Sequence, residues 1–374
     1  MIKQIRAKSI LRKHKKIDSW FLTHYGINLY RGCSHNCAYC DGRSEKYQVQ
    51  GEYGEDIAIK VNAVELLAKE LDPRKKRKPM PQSFMMLGGG VCDAYQPVET
   101  DYQLARKTLE LFLKFKYPVH ILTKSTLVQR DIDLLQAINK ISKVIVSFSF
   151  SSADENISNL FEPGVPYPGA RLDTIKKLKK SGINCGMFLM PVIPFITDSE
   201  EIIKQTLDQG KQAGIDFVIF GTMTLKPGIQ KQYFMNVLRK NYPKLITPYQ
   251  KIYALHSPWG EPNIPYRRHI NQIFNKAANQ LKIPKRIPPW IYDDVISLDQ
   301  KIIVILDHLD YLIKLTGQKS PYGYASYSLS KINQSISHTS PEKLLKLNGI
   351  GPFTLKIIEE IIETGTSQYY LNLL

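Results

Sequence analysis

The sequence predicts an α/β fold, with a parallel sheet built as either a partial barrel or an open doubly wound sheet, followed by a small all-α unit. Three observations point there. Short apolar runs alternate with amphipathic stretches to about residue 225, a proline-punctuated stretch follows, and from residue 296 the pattern is purely helical. Alternating strand and helix signals build parallel sheets with helices packed outside.

Six runs of four to six residues read as strands: Gly26–Tyr30, Ser83–Leu87, Val119–Leu122, Val144–Phe148, Cys185–Met190 and Phe217–Phe220. Between them, amphipathic periodicity predicts helices over Val61–Leu71, Asp101–Phe115, Asp131–Ile138, Leu172–Lys180 and Glu200–Ala213. In such a sheet, functional residues belong at the C-terminal ends of the strands. Residues 1–225 therefore form the first domain. Residues 226–295 break the rhythm with nine prolines and one predicted helix, Arg268–Leu281, and read as an extension ending in a linker at Pro288–Pro289. Residues 296–374 form the helical domain.

Composition narrows the class. At 374 residues and 43% hydrophobic content the chain is globular and long enough for two domains. No run of about 18 uncharged apolar residues predicts a membrane span. The N-terminus, MIKQIRAKSILRKHKK, lacks the apolar stretch of a secretory signal, so a cytoplasmic protein is expected. The net charge of +17 favours polyanionic partners, nucleic acid first, over simple solubility charge. Basic residues cluster at Lys13, Lys15 and Lys16, at Arg74–Lys78, and at Lys176, Lys177, Lys179 and Lys180.

Of five cysteines, three fall in Gly32-Cys33-Ser34-His35-Asn36-Cys37-Ala38-Tyr39-Cys40-Asp41, directly after the first predicted strand. A Cys-x3-Cys-x2-Cys loop can ligate three irons of a four-iron cluster and leave the fourth open. Zinc is the alternative, with His35 as fourth ligand, but His35 lies inside the first spacer and three thiolates alone fit zinc less well. Cys92 and Cys185 stand apart, so the count suggests metal ligation in a reducing compartment rather than disulfides.

This array resembles that of the radical S-adenosylmethionine (SAM) superfamily, which implies a partial (β/α)6 barrel, a 4Fe–4S cluster on Cys33, Cys37 and Cys40, and SAM chelating the open iron. The resemblance implies reductive cleavage of SAM to a 5′-deoxyadenosyl radical, fed by an electron donor such as flavodoxin or ferredoxin. Tyr39 stands at the family's aromatic position before the third cysteine. Gly88, Gly89 and Gly90 follow the second strand, where the family's Gly-Gly turn meets the methionine amino group. Lys124, Ser147 and Ser149, at the ends of the third and fourth strands, are candidates for the SAM carboxylate and ribose. Glu162 and Arg171 are a neighbouring polar pair, with Arg171 a further candidate for the cofactor.

Within the superfamily, Asn28–His35, Cys40–Ser44, Asp93–Glu99, Leu122–Ser125 and Phe161–Gly164 are similar to the spore photoproduct lyase-like group, over roughly residues 5–255. The named lyase repairs thymine dimers in DNA and uses a hydrogen-donating cysteine after the second strand. With Asp93 fixing the register, Gly90 takes that position and Cys92 lies two residues later, so Cys92 is the candidate donor or a small buried residue. Cys185 belongs to the core.

The C-terminal segment LKLNGIGPFTLKIIEEIIETG reads as a helix-hairpin-helix. A short helix opens at Ser340-Pro341, Gly349-Ile350-Gly351 makes the tight turn, and the second helix turns Leu355, Ile358, Ile361 and Ile362 inward. Such a turn presents backbone amides at a helix N-terminus, which can hold phosphate without reading base sequence. Lys346 and Lys356 add charge. With Ser297–Thr316, Pro321–Tyr324 and a helix over Ala325–Ser335, the module resembles the N-terminal domain of family X DNA polymerases. Ile357 occupies the position of that domain's Schiff-base lysine, so the resemblance supports binding of the DNA backbone rather than lyase chemistry.

These readings converge on a radical SAM enzyme acting on nucleic acid, by DNA lesion repair or base modification. RNA modification, or a nucleic-acid-binding protein with a structural or redox-sensing cluster, are the alternatives.

Overall fold

The computed structural model describes residues 1–374 except 48, 76–79, 90, 255, 256 and 258. Among the described residues ten strands are formed: β1 Ile2–Ile5, β2 Leu11–Asp18, β3 Thr23–Ile27, β4 Tyr30–Arg31, β5 Ile57–Lys60, β6 Phe84–Leu87, β7 Val119–Thr123, β8 Val144–Phe150, β9 Asn184–Val192 and β10 Phe217–Thr222. Seven of them make one curled sheet in the order β10-β9-β8-β7-β6-β3-β2. Neighbours from β3 to β10 are parallel, and β2 closes the sheet antiparallel to β3. This is a partial barrel, and five of its six parallel strands are those the apolar runs predict. The first, β3, begins three residues before the predicted Gly26–Tyr30 and shares only Gly26 and Ile27 with it, while Tyr30 pairs in β4.

Burial explains those runs. Every residue of β6 and β7 is buried, as expected of strands covered on both faces. Helices cover the outside of the sheet, among them Ala63–Leu71, Leu104–Phe115, Ile132–Ile141, Pro168–Lys180 and Glu200–Ala213. The last of these matches its predicted bounds, because its stops are chemical. The Ser199 hydroxyl accepts from Ile202 N, and Gly214 ends the helix at φ 93°.

Two features depart from the sequence expectation. A small sheet, β1-β5-β4, is interleaved in the chain with the first barrel strands and pins Arg31 immediately before the cysteine loop. The proline-rich stretch is also more helical than predicted, holding Ile229–Asn241 and Ile246–Ile252 as well as Ile264–Leu281. Pro248 is tolerated because it lies in the first turn of its helix, where no intrahelical amide bond is lost.

The C-terminal helices join the barrel rather than hang from it. Leu298–Leu315 starts in a capping box of Ser297 and Gln300 and buries ten residues. It reaches both edges of the sheet. On β2, Lys16 Nζ lies 2.8 Å from Asp307, while on β10 the Tyr311 hydroxyl donates to Phe220 O at 3.2 Å. His308 Nε2 donates to Ser19 O at 2.9 Å and Tyr370 OH donates to His308 Nδ1 at 2.8 Å. The buried guanidinium of Arg286 lies 4.7 Å from the Trp20 ring and 3.6 Å from that of Tyr311. One continuous apolar core runs from Ile10 to Tyr370. The predicted helix Ala325–Ser335 is shorter, Tyr322–Leu329, and a single 3₁₀ turn follows at Ile336–His338. Among the described residues, no helix is long and apolar enough to cross a membrane.

Candidate active site

The cysteine loop leaves β4 through Gly32, whose φ is 80° and where a methyl would lie 2.5 Å from Asp56 O, so only glycine fits. Cys33 and Cys37 are buried and Cys40 is half-buried. Backbone bonds hold the loop's shape: Asn36 N to Cys33 O, Cys40 N to Cys37 O, and Ala38 N to Phe161 O at 2.8 Å. Arg43 supports it from beneath, donating through Nε to Cys37 O at 3.2 Å and through Nη2 to Asn36, with its guanidinium 3.4 Å from the Tyr233 ring.

All three cysteines open into one cavity of about 300 Å³ at the C-terminal ends of the strands. Tyr39, Gly89, Cys92, Lys124 and Ser149 share its wall, with Met190 of β9, Thr222 of β10 and Met223 just after it. Lys124 Nζ donates to Ser149 Oγ at 2.5 Å and stands 5.6 Å from the Tyr39 ring. Behind this wall, Tyr39 OH donates to Glu162, and Arg171 Nη2 donates to the other Glu162 oxygen at 2.8 Å. Arg171 also donates to Ser149 O at 2.7 Å. Burial alone would raise the Glu162 carboxyl, but Arg171, Lys124 and Tyr39 outweigh it and hold the pKa down at about 2.

Sequence reasoning left out Asp93 as an organiser. This buried carboxylate accepts from Thr123 Oγ1 at 2.8 Å, Lys124 N at 2.7 Å and Tyr95 N at 2.8 Å, and faces His35 Nε2 at 3.1 Å. The other ring nitrogen of His35 donates to Gly164 O at 2.9 Å. His35 is thus committed to the scaffold and is not a metal ligand. The only trace in sequence is that Asp93 follows the glycine turn of β6. Arg43 and Tyr53 carry no such signal, since their partners are set by long-range packing.

The other candidates are placed as follows. Gly88 has φ 85°, and a methyl on it would lie 2.8 Å from Leu122 O. Gly89 pairs with Cys92 through two backbone bonds of 3.2 Å, and Gly90 between them lies outside the described residues. Ser147 lies within the barrel interior, 2.8 Å from His120 Nε2, rather than at the cavity wall. Cys92 Sγ donates to Gly32 O at 3.2 Å, and burial pushes its thiol up to about 12. Cys185 is fully buried in the core.

The donor set fits an iron–sulfur cluster better than a single ion. Among the described residues no group of three or more His, Cys, Asp or Glu side chains converges on one ion. Burial raises all three loop thiols, which makes bare thiolates unfavourable there and ligation by a cationic cluster the state that releases their protons. The Tyr53 hydroxyl, 2.8 Å from Cys40 Sγ, and Gly42 N at 3.4 Å partly oppose burial at Cys40, and both can bond a ligating sulfur.

In the helical region, Pro341–Leu345 leads through Asn348–Gly351 into Pro352–Thr364. Gly349 has φ 86° and is pressed against the start of another helix, 2.4 Å separating a methyl there from Ala325 N. Gly351, the N-cap, faces open space, and Lys346 and Lys356 are exposed. Ile350 and Ile357 are buried. The lysine-type chemistry that Ile357 would need to support is therefore absent at that position.

Residues 27–207 match the model of the radical SAM superfamily. An uncharacterised protein of Mycobacterium tuberculosis strain H37Rv is 32% identical over 252 residues, 66% of this chain and 72% of that protein. An uncharacterised protein of Methanocaldococcus jannaschii is 33% identical over 221 residues, 59% and 77% of the two chains. Among solved structures, spore photoproduct lyase complexed with dinucleoside spore photoproduct aligns with TM-score 0.56 and 17% identity, covering 75% of this chain and 79% of the lyase. A lyase variant with bound AdoMet and the dinucleoside aligns at TM-score 0.52 and 17% identity, covering 72% and 78%. The structural likeness is one of fold.

Proposed function

We propose, from the premise that this chain belongs to the radical SAM superfamily, with a 4Fe–4S cluster and SAM as its cofactors, that it acts by radical chemistry on nucleic acid, repairing a DNA lesion or modifying a base. The observation that carries the reading is one cavity joining three cysteines to Lys124, Ser149 and Tyr39 at the barrel mouth. When bound, the cluster supplies the electron that cleaves SAM to a 5′-deoxyadenosyl radical.

The chain's own residues then have these roles. Cys33, Cys37 and Cys40 hold the cluster. Lys124 and Ser149 hold the SAM carboxylate by charge-assisted bonding, and the turn at Gly88 and Gly89 lets backbone approach the methionine amino group. Tyr39 packs against the adenine, and Glu162 with Arg171 keeps Tyr39 and Lys124 aimed. Cys92, on the cavity wall, is the candidate hydrogen donor to a substrate radical. The electron comes from a small donor protein such as flavodoxin or ferredoxin, in the reducing cytoplasm. Nucleic acid as substrate is supported by the +17 charge and by the open N-terminus at Gly351, where amides with Lys346 and Lys356 can hold phosphate. A base reaching the barrel mouth must leave its stack.

The test is anaerobically reconstituted protein given SAM, dithionite and ultraviolet-damaged or undamaged DNA, with tRNA as a parallel substrate, and products followed by mass spectrometry. Wild type should form 5′-deoxyadenosine and Cys37→Ala none. Cys92→Ala should change the product made. A zinc-loaded protein, or 5′-deoxyadenosine formation by Cys37→Ala, would defeat the radical SAM assignment of these cysteines. Product from tRNA alone would move the substrate to RNA.

A further inference from the structure

The helical region carries a surface that phosphate binding at its turn leaves unused. Among the described residues, Tyr324 is 65% and Tyr327 56% exposed, two of the most exposed aromatic side chains in the molecule. They stand three apart on the helix Tyr322–Leu329, so they share a face, while Tyr322, Ala325, Ser326 and Leu329 bury the other. A lone exposed tyrosine needs no explanation. A pair on one helical face, ringed by cations, suits a ligand.

Three neighbours complete the surface. Lys331 Nζ lies 4.4 Å from the centroid of the Tyr327 ring. The neighbouring Lys331 and, more weakly, Lys15 hold the Tyr327 hydroxyl below its ordinary value. Lys15 belongs to β2, the edge strand of the barrel sheet, which also exposes Arg12 and Lys13. The edge strand is tied to this helix by Lys16, whose Nζ donates to Ser326 Oγ at 3.0 Å. On the other flank, Ser328 Oγ donates to Asn348 O at 3.0 Å, and a methyl on Gly349 would lie 2.9 Å from Tyr324 Cβ. Two stacking rings thus sit between a basic strand edge and the open helix N-terminus at Gly351.

We propose that this composite face binds single-stranded nucleic acid, its bases stacking on Tyr324 and Tyr327 and its phosphates following Lys15 and Lys331. The proposal rests on the nucleic-acid reading and narrows it. A tyrosine ring can be covered only by a base whose own face is free, which the interior of a duplex does not offer. Cations alone would grip duplex and strand alike. The surface takes one part from β2 and another from the helix Tyr322–Leu329, so it exists only in a chain that holds both.

Fluorescence anisotropy with a labelled ~16-nucleotide DNA, as single strand and as blunt duplex, and with the same sequence as RNA, tests it on full-length protein. Wild type should prefer either single strand to the duplex. Replacing both tyrosines (Tyr324→Ala with Tyr327→Ala) should weaken strand binding about tenfold or more, as loss of base–aromatic stacking does, whereas Tyr324→Phe with Tyr327→Phe should keep it. Should the alanine pair melt early, Lys15→Ala and Lys331→Ala carry the test, each lowering strand affinity and flattening its salt dependence. Wild-type strand binding by a folded alanine pair overturns the stacking proposal, even where the duplex is still held. A wild type that binds neither strand nor duplex overturns the nucleic-acid reading itself, and 5′-deoxyadenosine formation judges the radical chemistry separately.

Discussion

Gly164→Ala is the substitution by which the support of the cysteine loop is best judged. A methyl on Gly164 would lie 2.3 Å from Ser34 O and 3.0 Å from His35 Cα. Ordinary contact needs about 3.5 Å, so the two backbone segments must part by about 1 Å. Two bonds join them, Gly164 N to His35 O at 3.1 Å and His35 Nδ1 to Gly164 O at 2.9 Å, and both stretch beyond useful length. Overpacking of this kind costs about 1–3 kcal/mol, and each lost bond adds about 1 kcal/mol. The sum, about 3–5 kcal/mol, should lower Tm by about 6–10 °C at roughly 2 °C per kcal/mol for a chain of this size. Because His35 and Asp93 link this contact to Lys124, iron content after anaerobic reconstitution should fall together with stability. Gly169→Ala is the control, since its methyl meets only the Tyr167 ring at an ordinary 3.7 Å. Differential scanning fluorimetry and iron assay on both proteins decide the matter. Wild-type Tm and iron content in Gly164→Ala would refute the claim that Gly164 braces the loop.

Two further outcomes follow from other parts of the molecule. His308 is buried and neutral in the fold, its pKa pulled down to about 3 chiefly by burial and then by the Arg286 charge. The folded pKa lies below the unfolded value near 6.5, so this contribution is intact above pH 6.5 and is lost as pH falls from there towards 3, by about 1.4 kcal/mol per unit. Urea unfolding at pH 7 and pH 5 should show the drop, and His308→Gln should flatten it; an unchanged slope would mean His308 does not resist protonation. At the helical turn the two glycines should separate. Gly351→Ala, with open space around its methyl, should weaken DNA binding and leave Tm near wild type, whereas Gly349→Ala should lower Tm, because its methyl would lie 2.4 Å from Ala325 N at a φ of 86°. Equal melting of the two variants would disprove this division of roles.

What the sequence exposed was local. Five buried strands are visible as apolar runs, whereas β3, which alternates buried and half-buried residues, is displaced in the reading, and the helix Glu200–Ala213 is visible through its cap and its terminal glycine. The cysteine loop is visible because its three ligands are close in sequence. Other features depend on distant partners. β2, spelled LRKHKKID, reads as a basic stretch because an edge strand needs few apolar residues, and its lysines guard the edge. β1 and β5 are four residues each and find one another across 55 positions. The helices Ile229–Asn241 and Ile246–Ile252 hide among prolines that fall at their ends or first turns. In the site, Asp93, Arg43 and Tyr53 could not be assigned from pattern, because each acts through backbone groups or side chains that only the folded barrel brings within reach.

The long helix that touches both edges of the sheet also sets a timetable for synthesis. Lys16 and Asp307 are 291 residues apart, and Ser19 and His308 are 289 apart. A ribosome adding about 5–20 residues per second exposes the β2 edge and Trp20 some 15–60 s before their partners emerge. Through that interval the nascent barrel holds a bare, lysine-guarded strand and an uncovered aromatic patch. The positive charges along β2 then act first as a brake on premature pairing between neighbouring chains, and this edge of the barrel can settle only once the helix Leu298–Leu315 has emerged.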